Sequence, residues 1–205
     1  MTLQTSLKRC LARIEAATSG YLQQVGWIST RAQGLAEDKD GNPIPWFTYP
    51  AIELLSGRVR ADWRVLEFGA GMGTLWWSRK VGAVTAVEHS PDWAQQVAAK
   101  CDAKILLTTE DSADAYMQPA LGGAPYDVVI VDGIFRNECL DAAARLVGPA
   151  GIIILDDAQR IEYAPGLAGL LDQGYRMLPL HGPQPVSKHP GCTAIFYRDH
   201  NVLGL

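Results

Sequence analysis

A chain of 205 residues, 48% hydrophobic and 20% charged, has room for one α/β domain that buries its own core, and two independent domains would be a squeeze. A net charge of -4 supplies no basic footprint to counter a run of phosphates, so a nucleic-acid partner is not expected and a small-molecule substrate fits better. Cys10, Cys101, Cys139 and Cys192 form no C-x-x-C pair and read as reduced thiols, neither a disulfide framework nor a zinc site. The N-terminal segment lacks a signal peptide's apolar stretch, and no run approaches the roughly 20 apolar residues that span a bilayer. The expectation is a cytoplasmic protein with no membrane partner.

Between about Thr2 and Ser29, Leu3, Leu7, Leu11, Ile14, Tyr21, Leu22 and Val25 recur at helical spacing, with Gly20 as a break. This predicts two helices that cap one edge of the domain, with apolar positions able to pair with a second subunit in a homodimer. Thr30 to Pro50 carries Gly34, Gly41, Pro43, Pro45 and Pro50, the turn chemistry of a surface loop. It ends in Trp46, Phe47 and Tyr49. These read either as an aromatic plug between cap and core or as an active-site lid, from which Thr48, Tyr49 and Glu53 would reach a cofactor. Residues 1–58 are thus a helical cap and lid loop, and 59–205 the main domain, together one globular unit.

After the helix AIELLSG, the apolar runs RVLEF, AVTAVE, AKILLTT, YDVVIVD and GIIILD alternate with helical segments. Such runs, separated by helices, become parallel strands buried on both faces and joined by right-handed crossovers, a doubly wound α/β sheet. Trp76 and Trp77, on the first helix of the series, read as packing against the cap. Then the rhythm changes: GYRMLPL and CTAIFYRD flank a Pro- and Gly-rich loop and predict a closing antiparallel pair.

RVLEFGAGMGT runs a strand into a glycine turn and then a helix, where an open α/β sheet binds its ligand. A dinucleotide fingerprint reads G-x-G-x-x-G, whereas Thr74 stands three residues after Gly71 and the last glycine, Gly73, comes one position early. Glu67, just before the glycines, would repel a pyrophosphate and suit an amino-acid ammonium group. Nineteen positions after Gly69, Glu88 reaches the tip of the second strand, where an acid accepts ribose hydroxyls. Asp111 and Ser112 occupy the third strand-to-helix turn, where Asp111 either N-caps the helix or meets an adenine amino group.

Asp132, Asp156 and Asp157 converge at the ends of the fourth and fifth strands. Three readings stay open for them: oxygen ligands for Mg²⁺, a general base without metal, or a structural set in which Asp157 caps the next helix and Asp156 pairs with Arg136 or Arg160. His181, His189 and His200 read as solvated.

Taken together, LEFGAGMGT, VEHS, EDSA and YDVVIVDG resemble the motifs of class I S-adenosylmethionine-dependent methyltransferases, over about Trp63 to Asp157. The resemblance implies a mainly parallel seven-stranded, Rossmann-like sheet with an antiparallel last strand, and S-adenosylmethionine as cofactor. It implies that Glu67, Gly69, Ala70, Gly71, Gly73 and Thr74 line the methionine side, Glu88 binds the ribose, Asp111 and Ser112 approach the adenine with His89 and Trp93 flanking it, and Asp132 sits beside the sulfonium. The three aspartates look like the metal set of catechol-type O-methyltransferases, which assigns catalysis and Mg²⁺ to Asp132, Asp156 and Asp157. Here DGIFR places Arg136 where that family carries a Lys, and Asp157 stands where it carries an Asn. The activity implied is methyl transfer to an oxygen, less readily a nitrogen, of a small molecule. An NAD(P)-dependent oxidoreductase is the first rival and would need the G-x-G-x-x-G turn and further α/β repeats. A catalytically inactive binding module, the second, would have lost the glycines or Glu88.

Overall fold

A computed structural model describes residues 3–123 and 125–205, the side chains of residues 3 and 16–18 aside. The N-terminal segment forms α1 (Leu3–Thr18), α2 (Tyr21–Gln24) and α3 (Trp27–Gln33). The chain breaks around Gly20 as the spacing predicts, and again at Gly26, whose positive φ of 85° turns α2 into α3. Helix α3 carries on through Thr30, which was expected to open the loop, and ends at a left-handed Gly34. The cap differs from expectation at its start: residues 4–15 of α1 are exposed, and α1 packs against α2 without covering an edge of the sheet.

Seven strands form one sheet: β1 (Arg64–Phe68), β2 (Ala83–Glu88), β3 (Lys104–Leu107), β4 (Tyr126–Val131), β5 (Val147–Leu155), β6 (Arg176–Gly182) and β7 (Gly191–Tyr197), in the order β3-β2-β1-β4-β5-β7-β6. Strands β1 to β5 are parallel, and β7 runs antiparallel to both β5 and β6. That closing hairpin stands where an oxidoreductase of the doubly wound kind would continue with α/β units.

Alternation along the strands sorts the core into two layers, because successive side chains of a strand point to opposite faces. Leu66, Phe68, Val129, Val131, Ile153 and Leu155 pack under α7 (Ala113–Met117), α8 (Arg136–Leu146) and α9 (Ala164–Asp172). Val65, Val128, Ile130, Ile152 and Ile154 face the other way, onto Trp76 and Trp77 of α5 (Met72–Ser78), Leu55 of α4 (Tyr49–Ser56), and Phe47. Trp77 meets Trp76 edge-on, with ring centroids 4.7 Å apart, which bears out their reading as packing residues. The remaining helix, α6 (Pro91–Ala98), starts at Ser90, whose hydroxyl accepts from the Trp93 N–H, with Pro91 as its first residue.

The ladder extends past the strand ends on one side. The Gly69 N–H donates to Val87 O, that of Asp132 to Phe68 O, and that of Asp156 to Val131 O. The residues that leave β1, β4 and β5 therefore lie side by side on the carboxyl edge.

Candidate active site

Glu67 is the last inward-facing residue of β1 on the α5 side, and it is 2% exposed. The Gly71 N–H donates to Thr74 Oγ1, 2.9 Å away, and that hydroxyl donates in turn to Glu67 Oε2. The acid thus holds the glycine turn through a threonine. Burial is the main cause of its pKa, pushed up to about 8, with the negative fields of Asp132 and Glu88 acting in the same direction against the Thr74 hydrogen bond. At neutral pH the free protein carries Glu67 mostly as the neutral acid. Gly69 turns at a φ of 97° with its Cα against the backbone of Asp132 and Gly133, so a side chain there would collide with the β4 turn.

Glu88 ends β2 beside that turn. Its carboxylate accepts the N–H groups of Ala70 (3.0 Å), His89 (2.9 Å) and Ser90 (2.9 Å). His89 Nδ1 stands 3.1 Å from Glu88, and its Nε2 lies 3.8 Å from Glu110. The indole N–H of Trp93 donates to Ala70 O at 2.6 Å, which lays a partly exposed ring along the glycine turn. Asp111 and Ser112, which follow Glu110, are not among the residues that line the cleft. Ser112, and not Asp111, caps α7, with its hydroxyl accepting from the Ala115 N–H, while Asp111 accepts from Thr109 at the surface.

Around the aspartates, Arg136 decides the arrangement. Its guanidinium donates to Gly133 O (2.9 Å), Asp156 O (2.8 Å), Asp132 O (2.9 Å) and Asp132 Oδ1 (3.0 Å), over the ring of Tyr163. Asp157, in a left-handed conformation (φ 56°), pairs with Arg160 at 2.7 Å. Asp156 is 3% exposed and accepts from Thr193 Oγ1 at 2.7 Å; its side chain pairs with neither arginine, and Asp157 caps no helix. Both points correct the structural reading expected of these residues.

The donor set does not fit a metal ion. Two of the three carboxylates are neutralised by arginines, the third is held by a hydroxyl, and the Arg136 cation occupies their midst. Among the described residues no group of three His, Cys, Asp or Glu side chains is placed to hold one. The expectation of Mg²⁺ on Asp132, Asp156 and Asp157 is corrected accordingly. Burial, followed by the Asp157 charge, raises Asp132 to about 6, with Arg136 pulling the other way. Burial and the Asp132 charge raise Asp156 well above the usual carboxylate range.

These groups share a cleft of about 920 Å³ at the carboxyl edge, lined by Glu67, the glycine turn, Glu88, Asp132, Asp156 and Asp157. The aromatic segment before α4 divides between its two readings. Phe47 and Tyr49 are buried as a plug, whereas Trp46 is half-exposed and lines the cleft. Thr48 and Tyr49 are buried away from the cleft and Glu53 is exposed on α4, so the lid contact passes to Trp46. Sequence reasoning missed Gln184, Pro185 and Val186, which also line the cleft, in a loop whose Val186 N–H donates to Thr30 Oγ1 of α3; the only signal was a glutamine between two prolines. His181, His189 and His200 are exposed and outside the cleft.

No family model and no curated protein matches the sequence. Solved structures do match by shape. Precorrin-6y C5,15-methyltransferase from Geobacter metallireducens aligns with a TM-score of 0.55 at 18% identity, over 73% of this chain and 87% of that one. A methyltransferase from Pyrococcus furiosus aligns at 0.54 and 14% identity, over 95% and 99%. An rRNA methylase from Streptococcus thermophilus aligns at 0.50 and 12% identity, over 73% and 96%. With the strand order, the reversed β7 and the glycine turn after β1, these likenesses show that the chain has the fold of the class I S-adenosylmethionine-dependent methyltransferases.

Proposed function

We propose that this chain binds S-adenosylmethionine in the cleft and transfers its methyl group to an oxygen, less readily a nitrogen, of a small-molecule acceptor. The observation that carries the reading is Glu88, an acid at the tip of β2 oriented by three backbone N–H groups beside the glycine turn. A carboxylate has about four acceptor sites. Oε1 takes the His89 and Ser90 N–H groups with His89 Nδ1 beside it, while Oε2 takes only the Ala70 N–H and keeps a site for a ribose hydroxyl. When bound, the cofactor supplies an electrophilic methyl group on a sulfonium.

The chain's own residues do the rest. Glu67 and Thr74 hold the glycine turn, and a Glu67 carboxylate would pair with the amino-acid ammonium group. Trp93 and His89 offer ring faces next to Glu88. Asp132 and Asp157, each paired with an arginine, and the buried Asp156 line the edge where a sulfonium would sit. Asp156 accepts the proton of an acceptor hydroxyl: it is buried, its raised pKa makes it a better base than a solvated carboxylate, and it lines the cleft. Positioning then contributes most of the acceleration.

A small acceptor is favoured over a nucleic acid by the net charge of -4 and by the pairing of two of the three cations that line the cleft, Arg136 with Asp132 and Arg160 with Asp157, Lys100 being the third. Isothermal titration with S-adenosylhomocysteine, with NAD⁺ and NADPH as controls, tests the reading. Micromolar binding of the homocysteine compound alone is expected, weakened at least about tenfold, or about 1.4 kcal/mol, in Glu88→Ala. Binding of a nicotinamide cofactor, or of none, overturns the cofactor assignment, and unchanged affinity in the variant overturns the ribose site.

A further inference from the structure

Where a divalent ion would gather the carboxylates at the ends of β4 and β5, the chain puts a cation of its own. The Arg136 side chain is 11% exposed, and its fork reaches both strand ends: Nε donates to Gly133 O, Nη2 to Asp132 O and Oδ1, and Nη1 to Asp156 O. Nη1 also stands 4.0 Å from Asp157 Oδ2. Three of the four acceptors are backbone carbonyls, so the guanidinium joins the turn after β4 to the turn after β5 through main chain. A fixed fork of five N–H groups can do this, whereas an ammonium is a point charge with three donors.

The setting of the residue points the same way. Arg136 is the first residue of α8, where the helix dipole disfavours a positive charge, so its charge does not serve the helix. Phe135, just before it, and Asp157, just after Asp156, both stand in the left-handed region, at φ 52° and 56°. Such backbone in residues other than glycine persists where the surroundings hold it, and these two bends adjoin the segments that Arg136 joins. The β4 turn is in turn the wall of the glycine turn: a Cβ on Gly69 would fall 2.7 Å from Gly133 N and Cα and 2.9 Å from Asp132 C. Asp132 and Gly133, which the fork holds by their carbonyls, therefore also support the backbone of the cofactor mouth.

We propose that Arg136 is a positioning residue that does for this edge what a bound divalent ion would do: it fixes the β4 and β5 ends, and with them the glycine turn, so that the site works with a built-in cation and no metal. Its effect on the cofactor rests on the methyl-transfer reading above; its effect on the two strand ends does not.

Arg136→Ala empties the place, and Arg136→Lys keeps the charge without the fork. Both are expected to bind S-adenosylhomocysteine at least about tenfold more weakly and to melt at least about 5 °C lower. Addition of about 10 mM guanidinium chloride, far below the molar range in which it denatures, should raise the melting temperature of Arg136→Ala and recover most of its S-adenosylhomocysteine affinity, while leaving the parent unchanged or slightly less stable. The same concentration of MgCl₂ or NaCl should rescue neither property. In the parent, electron paramagnetic resonance should show no micromolar Mn²⁺ uptake that Asp132→Asn abolishes. The inference is overturned by such uptake, by a Lys variant that behaves as the parent does, by rescue with Mg²⁺ as complete as with guanidinium, or by no rescue with guanidinium. A lower melting temperature with unchanged S-adenosylhomocysteine affinity overturns it too, since Arg136 would then stabilise the fold without positioning the site. The Lys variant and the Mn²⁺ titration decide the matter even where the Ala variant does not fold. Failure of S-adenosylhomocysteine to bind the parent overturns the cofactor reading instead, and the melting-temperature and Mn²⁺ arms keep their force.

Discussion

Glu67 shows how a single buried side chain can couple a ligand to a proton. With its pKa pushed up to about 8 by burial, it is mainly uncharged at pH 7, and Thr74 already donates to one of its oxygens. An amino-acid ammonium group brought against it would favour the carboxylate and lower that pKa, so binding should expel the proton. Titrations of S-adenosylhomocysteine at pH 7 in phosphate and in Tris, whose ionisation enthalpies differ widely, should then give different observed enthalpies. The difference should vanish in Glu67→Gln. Equal enthalpies in the parent protein would place the ammonium group elsewhere in the cleft.

Among the elements, legibility follows from how local the physics is. Strands β1, β2, β4 and β5 were readable because each carries a mostly apolar, buried stretch that ends at an acid or a turn, as burial on both faces of a parallel sheet requires. The acids Glu67, Glu88 and Asp132 were readable for the same reason: a residue that ends a parallel strand is carried to the carboxyl edge whatever the rest of the chain does. What joins one element to another was not readable. Arg136 stands four residues after Asp132, but its fork to Asp156 O depends on β5 lying next to β4. Thr193 gave no signal at all, and its role comes from a hairpin that returns β7 to the side of β5. There its hydroxyl accepts from the Thr48 N–H at 2.9 Å and donates to Asp156, tying the segment before α4 to the buried acid. Thr193→Val keeps the shape and leaves both partners unsatisfied in a fully buried place. The cost should be about 1–3 kcal/mol, read as a lower melting temperature with cofactor affinity retained, and Thr193→Ser should restore it. A Val variant that melts with the parent would show the link to be incidental.

For the molecule as a whole, gathering carboxyl groups at one edge of the sheet makes stability depend on pH in an unusual direction. Glu67, Asp132 and Asp156 all have pKa values raised in the folded state, the first to about 8 and the second to about 6. A raised acid holds its proton more tightly when folded than when unfolded, so its contribution is fully present below the unfolded value, near 4 to 4.5, and is lost as pH rises through the folded one. The exposed ion pairs Arg145–Asp141 and Arg176–Asp199 are solvent-screened and contribute little to stability. Between about pH 5 and pH 8 the protein without cofactor should therefore become less stable as pH rises. At this chain length a loss of about 1 kcal/mol moves the melting temperature by roughly 2–4 °C, and a fall at least that large is expected. Glu67→Gln should flatten the curve over the whole interval, because Glu67 holds its extra proton from about pH 5 to about pH 8, whereas Asp132 contributes mainly below about pH 6. A melting temperature that climbs steadily from pH 5 to pH 8 in the parent protein would mean that these acids are charged and satisfied in the free fold. The cleft would then have to be preorganised for cation binding before any ligand arrives.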